Sequence, residues 1–369
     1  VKEMDFHARR AALRRQLEAE GLDAFAIINL ESSDSLNLVY LTGFSGTFGL
    51  LVLTQAEQLL LTDSRYTERA KAEAPQVEVR EIKGNWAERL AEELKALGLK
   101  RLGLNSRTIS LFDFNLLKEK APEVELVPLE GPVERLRLRK DEEEIEQIRE
   151  AAALTDRAFA HALEFVRPGM TELEVAWELE KFMREHGSSQ GLAFPSIIAT
   201  GSNSALPHAL PGERRLRRGE LLLLDMGARS GGYCADLTRM IALGKPTKRQ
   251  KEVYEIVLRA QQAALSGIKA GMDGIEADRL AREVIQGAGF GDKFGHGLGH
   301  GVGLAVHEGP RLSPLADPKK DILEPGMVVT VEPGIYLVGE FGVRIEDLTV
   351  VSDGGLEVLS KAPKDLRSV

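Results

Sequence analysis

The sequence predicts two domains: an α/β domain at the N-terminus and, behind it, an α+β domain built of two related halves. Three observations carry this. Up to about residue 130, short apolar runs alternate with stretches of helical periodicity. From about residue 150 to 350 the chain echoes itself. Within each echo an apolar, strand-like run ends in a carboxylate.

The first domain reads as follows. Helical spacing appears over 4–20, 86–97 and 113–120, and apolar runs of strand length lie at 24–28, 49–53, 58–62 and 101–104. Such alternation predicts an α/β domain over residues 1–132, closed by the turn pair Gly131-Pro132. The charge-dense segment 135–149 then opens a second domain, residues 133–369, as a solvated helix start.

The echo in the second domain has three members in the same order. Arg167-Pro168-Gly169-Met170-Thr171-Glu172 opens one helical stretch and Lys269-Ala270-Gly271-Met272-Asp273-Gly274 another. Leu216–Gly219 and Leu323–Gly326 share the pattern Leu-x-x-Gly, and Asp225 and Glu332 each fall six residues after that glycine. Asp236-Leu237-Thr238 recurs as Glu346-Asp347-Leu348-Thr349. A carboxylate at the end of a buried strand is costly unless paired or coordinated. One such residue is best read as an ion-pair partner of an arginine; two of identical layout point to coordination between pseudo-twofold halves.

Carboxylates with one or two imidazoles and no thiolate cluster suit Mn, Co or Zn, and this many carboxylates can bridge two ions. That chemistry is hydrolysis of an amide without a covalent intermediate. His296 and His300 are spaced as in helical zinc motifs, but glycines at 295, 297, 299, 301 and 303 exclude a helix. In an extended segment two residues four apart lie about 13 Å apart, too far to share an ion. The glycines are read as letting backbone approach metals and substrate.

Five blocks carry a family resemblance: Asp225-Met226-Gly227 with Gly231-Gly232-Tyr233-Cys234-Ala235-Asp236-Leu237-Thr238-Arg239; Gly295-His296-Gly297-Leu298-Gly299-His300; His307-Glu308-Gly309-Pro310; Glu332-Pro333-Gly334-Ile335-Tyr336; and Arg344-Ile345-Glu346-Asp347. With them the second domain resembles the pita-bread metallopeptidases. The whole chain resembles their proline-specific branch, the Xaa-Pro dipeptidases (prolidases) and aminopeptidase P. Tyr40-Leu41-Thr42-Gly43-Phe44-Ser45 and Asp63-Ser64-Arg65-Tyr66 resemble the N-terminal domain of that branch and of creatinase.

The resemblance implies a pita-bread catalytic domain with two divalent metal ions on Asp225, Asp236, His300, Glu332 and Glu346. Asp225 and Asp236 would hold one ion, His300 and Glu332 the other, with Asp236 and Glu346 bridging. His296 would line the site and contact substrate. His208, in a loop rich in turn residues, would contact substrate or shuttle a proton. His307 would donate to the substrate carbonyl, Glu332 would accept the proton of the attacking water, and Arg344 would balance the acidic cluster. Arg311 is the candidate to bind a dipeptide's free carboxylate, which favours Xaa-Pro dipeptidase over aminopeptidase P. The resemblance also implies a homodimer.

His161, His186 and His7 read as ordinary helical or exposed histidines, and Cys234 as a small buried residue. A net charge of -9 speaks against a nucleic-acid partner. The single cysteine rules out an internal disulfide framework. No apolar stretch reaches the roughly 20 residues of a membrane helix, and no signal-peptide pattern opens the chain, so the expected location is the cytoplasm with no membrane contact. Three rivals weigh less. A methionine aminopeptidase resembles only the second domain, creatinase lacks this ligand set, and a non-catalytic pita-bread binding module has lost it.

Overall fold

The structure, a computed structural model, describes residues 4–189 and 191–369. It divides into two compact units, one ending at Arg137 and the other beginning at Leu138.

The first unit is a six-stranded sheet in the order β4-β3-β2-β1-β5-β6. Its strands are β1 (Ala24–Asn29), β2 (Gly49–Thr54), β3 (Gln58–Thr62), β4 (Glu78–Glu81), β5 (Arg101–Asn105) and β6 (Glu125–Leu129). The helices are α1 (Phe6–Ala19), α2 (Ser35–Thr42), α3 (Thr67–Glu73), α4 (Trp86–Ala96), α5 (Leu111–Lys120) and α6 (Pro132–Arg137). The central strands are the apolar runs read from the sequence. The edge strands β4 and β6 gave no such signal because they are charged or carry Pro128, as edges usually are. The two motifs quoted for this unit meet: Phe44 and Tyr66 stack edge-on at 6.0 Å, and Arg65 ties Asp63 to Glu31. The helix after Gly131-Pro132 belongs to this unit, so the break falls after α6.

The second unit repeats one order of elements. Its first half runs α7 (Glu142–Phe165), α8 (Glu172–Glu185), β7 (Ile197–Thr200), β8 (Leu221–Met226), the hairpin β9 (Arg229–Ser230) and β10 (Tyr233–Cys234), then β11 (Leu237–Ala242). The second half runs α9 (Lys248–Gly267), α10 (Gly274–Gly287), β12 (Gly299–Gly301), β13 (Glu308–Leu312), β14 (Val328–Val331), the hairpin β15 (Gly334–Leu337) and β16 (Phe341–Arg344), then β17 (Asp347–Ser352) and β18 (Gly355–Val358). The main sheets are β19-β11-β8-β7, with β19 at Arg367–Ser368, and β13-β12-β14-β17-β18.

The echo is visible bond by bond. Thr171 and Asp273 each cap a helix through a capping box, with Glu174 and Glu276. Thr171 bridges to Arg215 and Asp273 to Ile322, each one residue before the leucine of Leu-x-x-Gly. Leu216 N–H donates to Met170 O and Leu323 N–H to Met272 O, both at 2.8 Å. Gly219 and Gly326 both adopt the left-handed conformation the turn requires, at φ 88° and 87°. The pseudo-twofold is therefore a property of the backbone, though few side chains are shared.

Strand β8 is buried on both faces, which explains its unbroken leucine run. Leu222, Leu224 and Met226 pack with α7 and α8 residues, while Leu221 and Leu223 face the core shared with the second half. Asp225 alternates with the latter pair and so points between the halves. Among the described residues, no helix is long and apolar enough to cross a membrane.

Candidate active site

Four carboxylates are delivered by the repeated strand–hairpin–strand unit. Asp225 lies on β8, paired across the sheet with Thr238, and Asp236 immediately precedes β11. Glu332 immediately follows β14 and Glu346 immediately precedes β17. Val329 and Val331 fill the core, so Thr330 and Glu332 share the opposite face, where the Thr330 hydroxyl donates to Glu332 at 3.1 Å. The halves are tied here by Glu346 N–H donating to Thr238 O at 3.2 Å.

His300 enters from the short strand β12. Its Nε2 lies 3.3 Å from Glu332 Oε1 and 3.7 Å from Asp236 Oδ2. Asp236, His300 and Glu346 each offer a ligand atom within 4.8 Å of the others. Two of the flanking glycines fit against strands. A Cβ at Gly299 would lie 2.1 Å from Thr330 O, and one at Gly301 would collide with Gly309 O. At these two positions the close neighbour is the backbone of an adjacent strand.

Arg344 is the cation of the cluster. It is buried, and donates to Asp225 at 2.5 Å, to the Thr238 hydroxyl at 3.0 Å and to the Tyr336 hydroxyl at 2.8 Å. Thr238 in turn donates to Glu346 at 2.7 Å, so one hydroxyl links the arginine to two carboxylate-bearing segments. Tyr336 and Thr238 were not picked out as site residues from sequence. The signal for Thr238 was its place two residues after Asp236, on the same strand face.

Burial pushes the Asp236 and Glu346 carboxyls well above the ordinary carboxylate range, and neighbouring carboxylates push the same way. Burial raises Asp225 too, against the pull of Arg344. At Glu332, burial is outweighed by the hydrogen bond and charge of His300, which hold it at about 2. At His300, burial is outweighed by Glu332, and the imidazole is raised. The pocket holds more negative charge than Arg344 balances, and protons make up the difference.

Divalent ions fit this donor set. Asp225 Oδ1 is buried with no hydrogen-bond partner. A carbonyl only accepts, so the 3.1 Å contact of His300 Nδ1 with Gly301 O fixes the proton on Nδ1 and points Nε2 at the carboxylates. Hard oxygens with one imidazole suit Mn, Co or Zn.

The remaining histidines divide. His307 is exposed, and its ring centroid lies 4.1 Å from that of His300. Partial desolvation of its ring, and the nearby His300 and His208, lower its basicity against the pull of Glu332. His208 is itself exposed, on a loop whose Pro207 carbonyl accepts from Arg344 at 3.4 Å. Both nitrogens of His296 are engaged, Nδ1 with Gly297 O at 2.7 Å and Nε2 with the Tyr336 hydroxyl at 2.9 Å. It is an interior histidine beside the cluster. Arg311 is exposed and pairs across the strands with His300, so it leaves from the same sheet face. Away from the site, His161 stacks on Phe182, His186 caps α8, His7 is exposed and Cys234 is buried.

Residues 9–139 match the Creatinase/Prolidase N-terminal domain, and residues 146–353 match Metallopeptidase family M24. The structure of an Xaa-Pro dipeptidase from Bacillus anthracis superposes with a TM-score of 0.93 at 41% identity, over 99% of this chain and 100% of that one. An X-Pro aminopeptidase from Thermotoga maritima superposes with a TM-score of 0.90, also at 41% identity, over 96% and 100%. An uncharacterised peptidase of Bacillus subtilis is 41% identical over 354 residues, 96% of this chain and 98% of its own. On the strength of a repeated fold, a buried carboxylate–imidazole cluster and these matches, the chain belongs to metallopeptidase family M24, with a creatinase-type N-terminal domain ahead of its pita-bread catalytic domain.

Proposed function

We propose that the chain is a dinuclear-metal peptidase that hydrolyses the Xaa-Pro bond of dipeptides. The observation that carries the chemistry is the cluster of Asp225, Asp236, His300, Glu332 and Glu346 around Arg344. Asp225 and Asp236 would hold one ion, His300 and Glu332 the other, with Asp236 and Glu346 shared. Bound there, Mn, Co or Zn supplies Lewis-acid polarisation of the scissile carbonyl and an acidified water as nucleophile.

The side chains do the rest. Glu332 accepts the proton of the attacking water. His307 and His208, exposed at the mouth, meet the substrate, with His307 donating to the carbonyl as charge develops. Proline presents a tertiary amide with no N–H, so recognition needs no acceptor at that nitrogen. The names of the similar proteins, an Xaa-Pro dipeptidase and an X-Pro aminopeptidase, support the bond specificity. The protein is taken to act as a cytoplasmic homodimer, and sedimentation as a monomer at working concentrations would contradict the dimer.

Alanine variants of His307 and His208 should keep full metal content and lose about 10²–10⁴-fold in kcat. Loss of metal in His307→Ala would overturn its role and throw doubt on His300 as the ligand.

The dipeptide reading rests on Arg311. A dipeptidase must bind the proline carboxylate, and an arginine does so with two parallel hydrogen bonds. Arg311 sits opposite His300 with its guanidinium in no ion pair among the described residues. Arg311→Ala should raise KM for Xaa-Pro and leave Xaa-Pro-amide hydrolysis unchanged. Aminopeptidase P is the second reading, favoured by the equal identity to the Thermotoga maritima enzyme. Faster cleavage of Xaa-Pro-Yaa than of Xaa-Pro decides for it.

A further inference from the structure

We propose that a buried ion pair, Lys140 with Glu308, is the device that positions His307; the inference rests on the role given to His307 above. Lys140 Nζ lies 2.8 Å from Glu308 Oε1, with the lysine side chain 1% exposed and the glutamate 11%. Lysine is almost never buried this deeply without a partner, and a buried ion pair is weak support for stability on its own. Something other than stability has to account for it.

The seat for Glu308 is built from three sides. A Cβ at Gly303 would collide with the Glu308 carboxylate, and one at Gly309 would lie 2.7 Å from Leu138, so both glycines admit the neighbours that hold the segment. Lys140 is itself fixed: its N–H donates to Gly326 O at 2.8 Å, its ammonium to Leu138 O at 3.3 Å, and Asp141 behind it caps α7. Gly326 belongs to the turn that leads into β14 and Glu332. The lysine therefore links the strand carrying Glu332 to the one that begins at Glu308.

Glu308 is the first residue of β13 and His307 the last of the bend before it, so holding Glu308 on Lys140 fixes the point from which His307 leaves the chain, and its ring meets that of His300. Glu308 also faces Gly301 across the strands, one residue from His300. Lys140 and Glu308 are positioning residues that touch no substrate.

The test removes both charges together, since Lys140→Met alone would strand a buried carboxylate and risk unfolding. In Lys140→Met/Glu308→Gln, kcat for Xaa-Pro should fall by up to about 100-fold, the scale of a 1 Å misplacement, with KM within about twofold and metal content unchanged. On a His307→Ala background the same double change should cost nothing further, because no ring is left to place. An undiminished kcat, or a loss that adds in full to that of His307→Ala, overturns the proposal. A crystal structure of the double variant reads the pair without turnover: the His307 ring should leave its contact with His300, and a ring still in place overturns the proposal. A wild type that cleaves no Xaa-Pro substrate sinks the functional reading instead, and the crystal structure still decides the pair.

Discussion

Glu346→Ala should leave the chain with fewer than two bound ions and lower kcat by well over 100-fold; Asp236→Ala should do the same. Partners one step removed from a metal typically cost about 10–100-fold when lost, and these two carboxylates sit at the centre of the cluster. Both are buried and both are raised by burial and by the surrounding carboxylates, so removing one also relieves repulsion. The metal-free variants should therefore be folded, and more heat-stable than the metal-free parent. Elemental analysis after dialysis, with thermal melts of both forms, checks this. Near-normal activity with full occupancy in either variant contradicts the shared-ligand assignment.

Arg344→Met should be the most destabilising change in the site. It strands Asp225 and leaves four carboxylates around one imidazole. Breaking a buried pair costs about 3–5 kcal/mol, roughly 10 °C in Tm for a unit of this size. The cost has a pH dependence whose sign follows from the shifts. Asp225, Asp236 and Glu346 hold protons in the folded metal-free chain that the unfolded chain releases at ordinary carboxylate pH. The contribution of these three groups to metal-free stability is therefore fully present below the ordinary carboxylate range and falls as pH rises from it toward their raised values. Glu332, held at about 2, works the other way and loses its contribution only as pH falls below the ordinary carboxylate range. Without Arg344 the decline with pH should steepen, and added Mn should reverse most of it. Melts from pH 5 to 8, with and without metal, read all three. A flat profile for the metal-free parent contradicts the picture of a pocket held together by protons.

Much of the site was legible because its residue types are chemically conspicuous and its backbone repeats. Asp225 and Glu332 stand six residues after a turn glycine that needs a left-handed conformation, and that turn is specified locally. The hydroxyl partners of Thr238 come from the opposite half of the unit, and those of Tyr336, Arg344 and His296, from other strands and loops of its own half, so neither contact can be read from the local sequence. The pairing of Lys140 with Glu308 is hidden too, because Lys140 sits in a segment that reads as an ordinary charged surface and its partner lies far along the chain. In the first unit, α2 was missed because Ser35–Thr42 is nearly all apolar or neutral and shows no helical face, while β4 and β6 were missed because exposed edges avoid the apolar alternation that marks a strand. The glycines around His300 were visible, but the strand packing behind two of them was not. Strand-to-strand contact, which no local pattern reveals, is what excludes a Cβ at Gly299 and Gly301.

The central claim is that this carboxylate–imidazole cluster cleaves the Xaa-Pro bond only when loaded with metal. The direct measurement is the rate of proline release from an Xaa-Pro dipeptide by chelated enzyme as Mn is titrated back, with Xaa-Ala as control. The account predicts no cleavage without metal, a rate that saturates as the second ion binds, and little cleavage of Xaa-Ala at any loading. Proline release that persists in excess chelator, or Xaa-Ala cleaved as fast as Xaa-Pro, contradicts it.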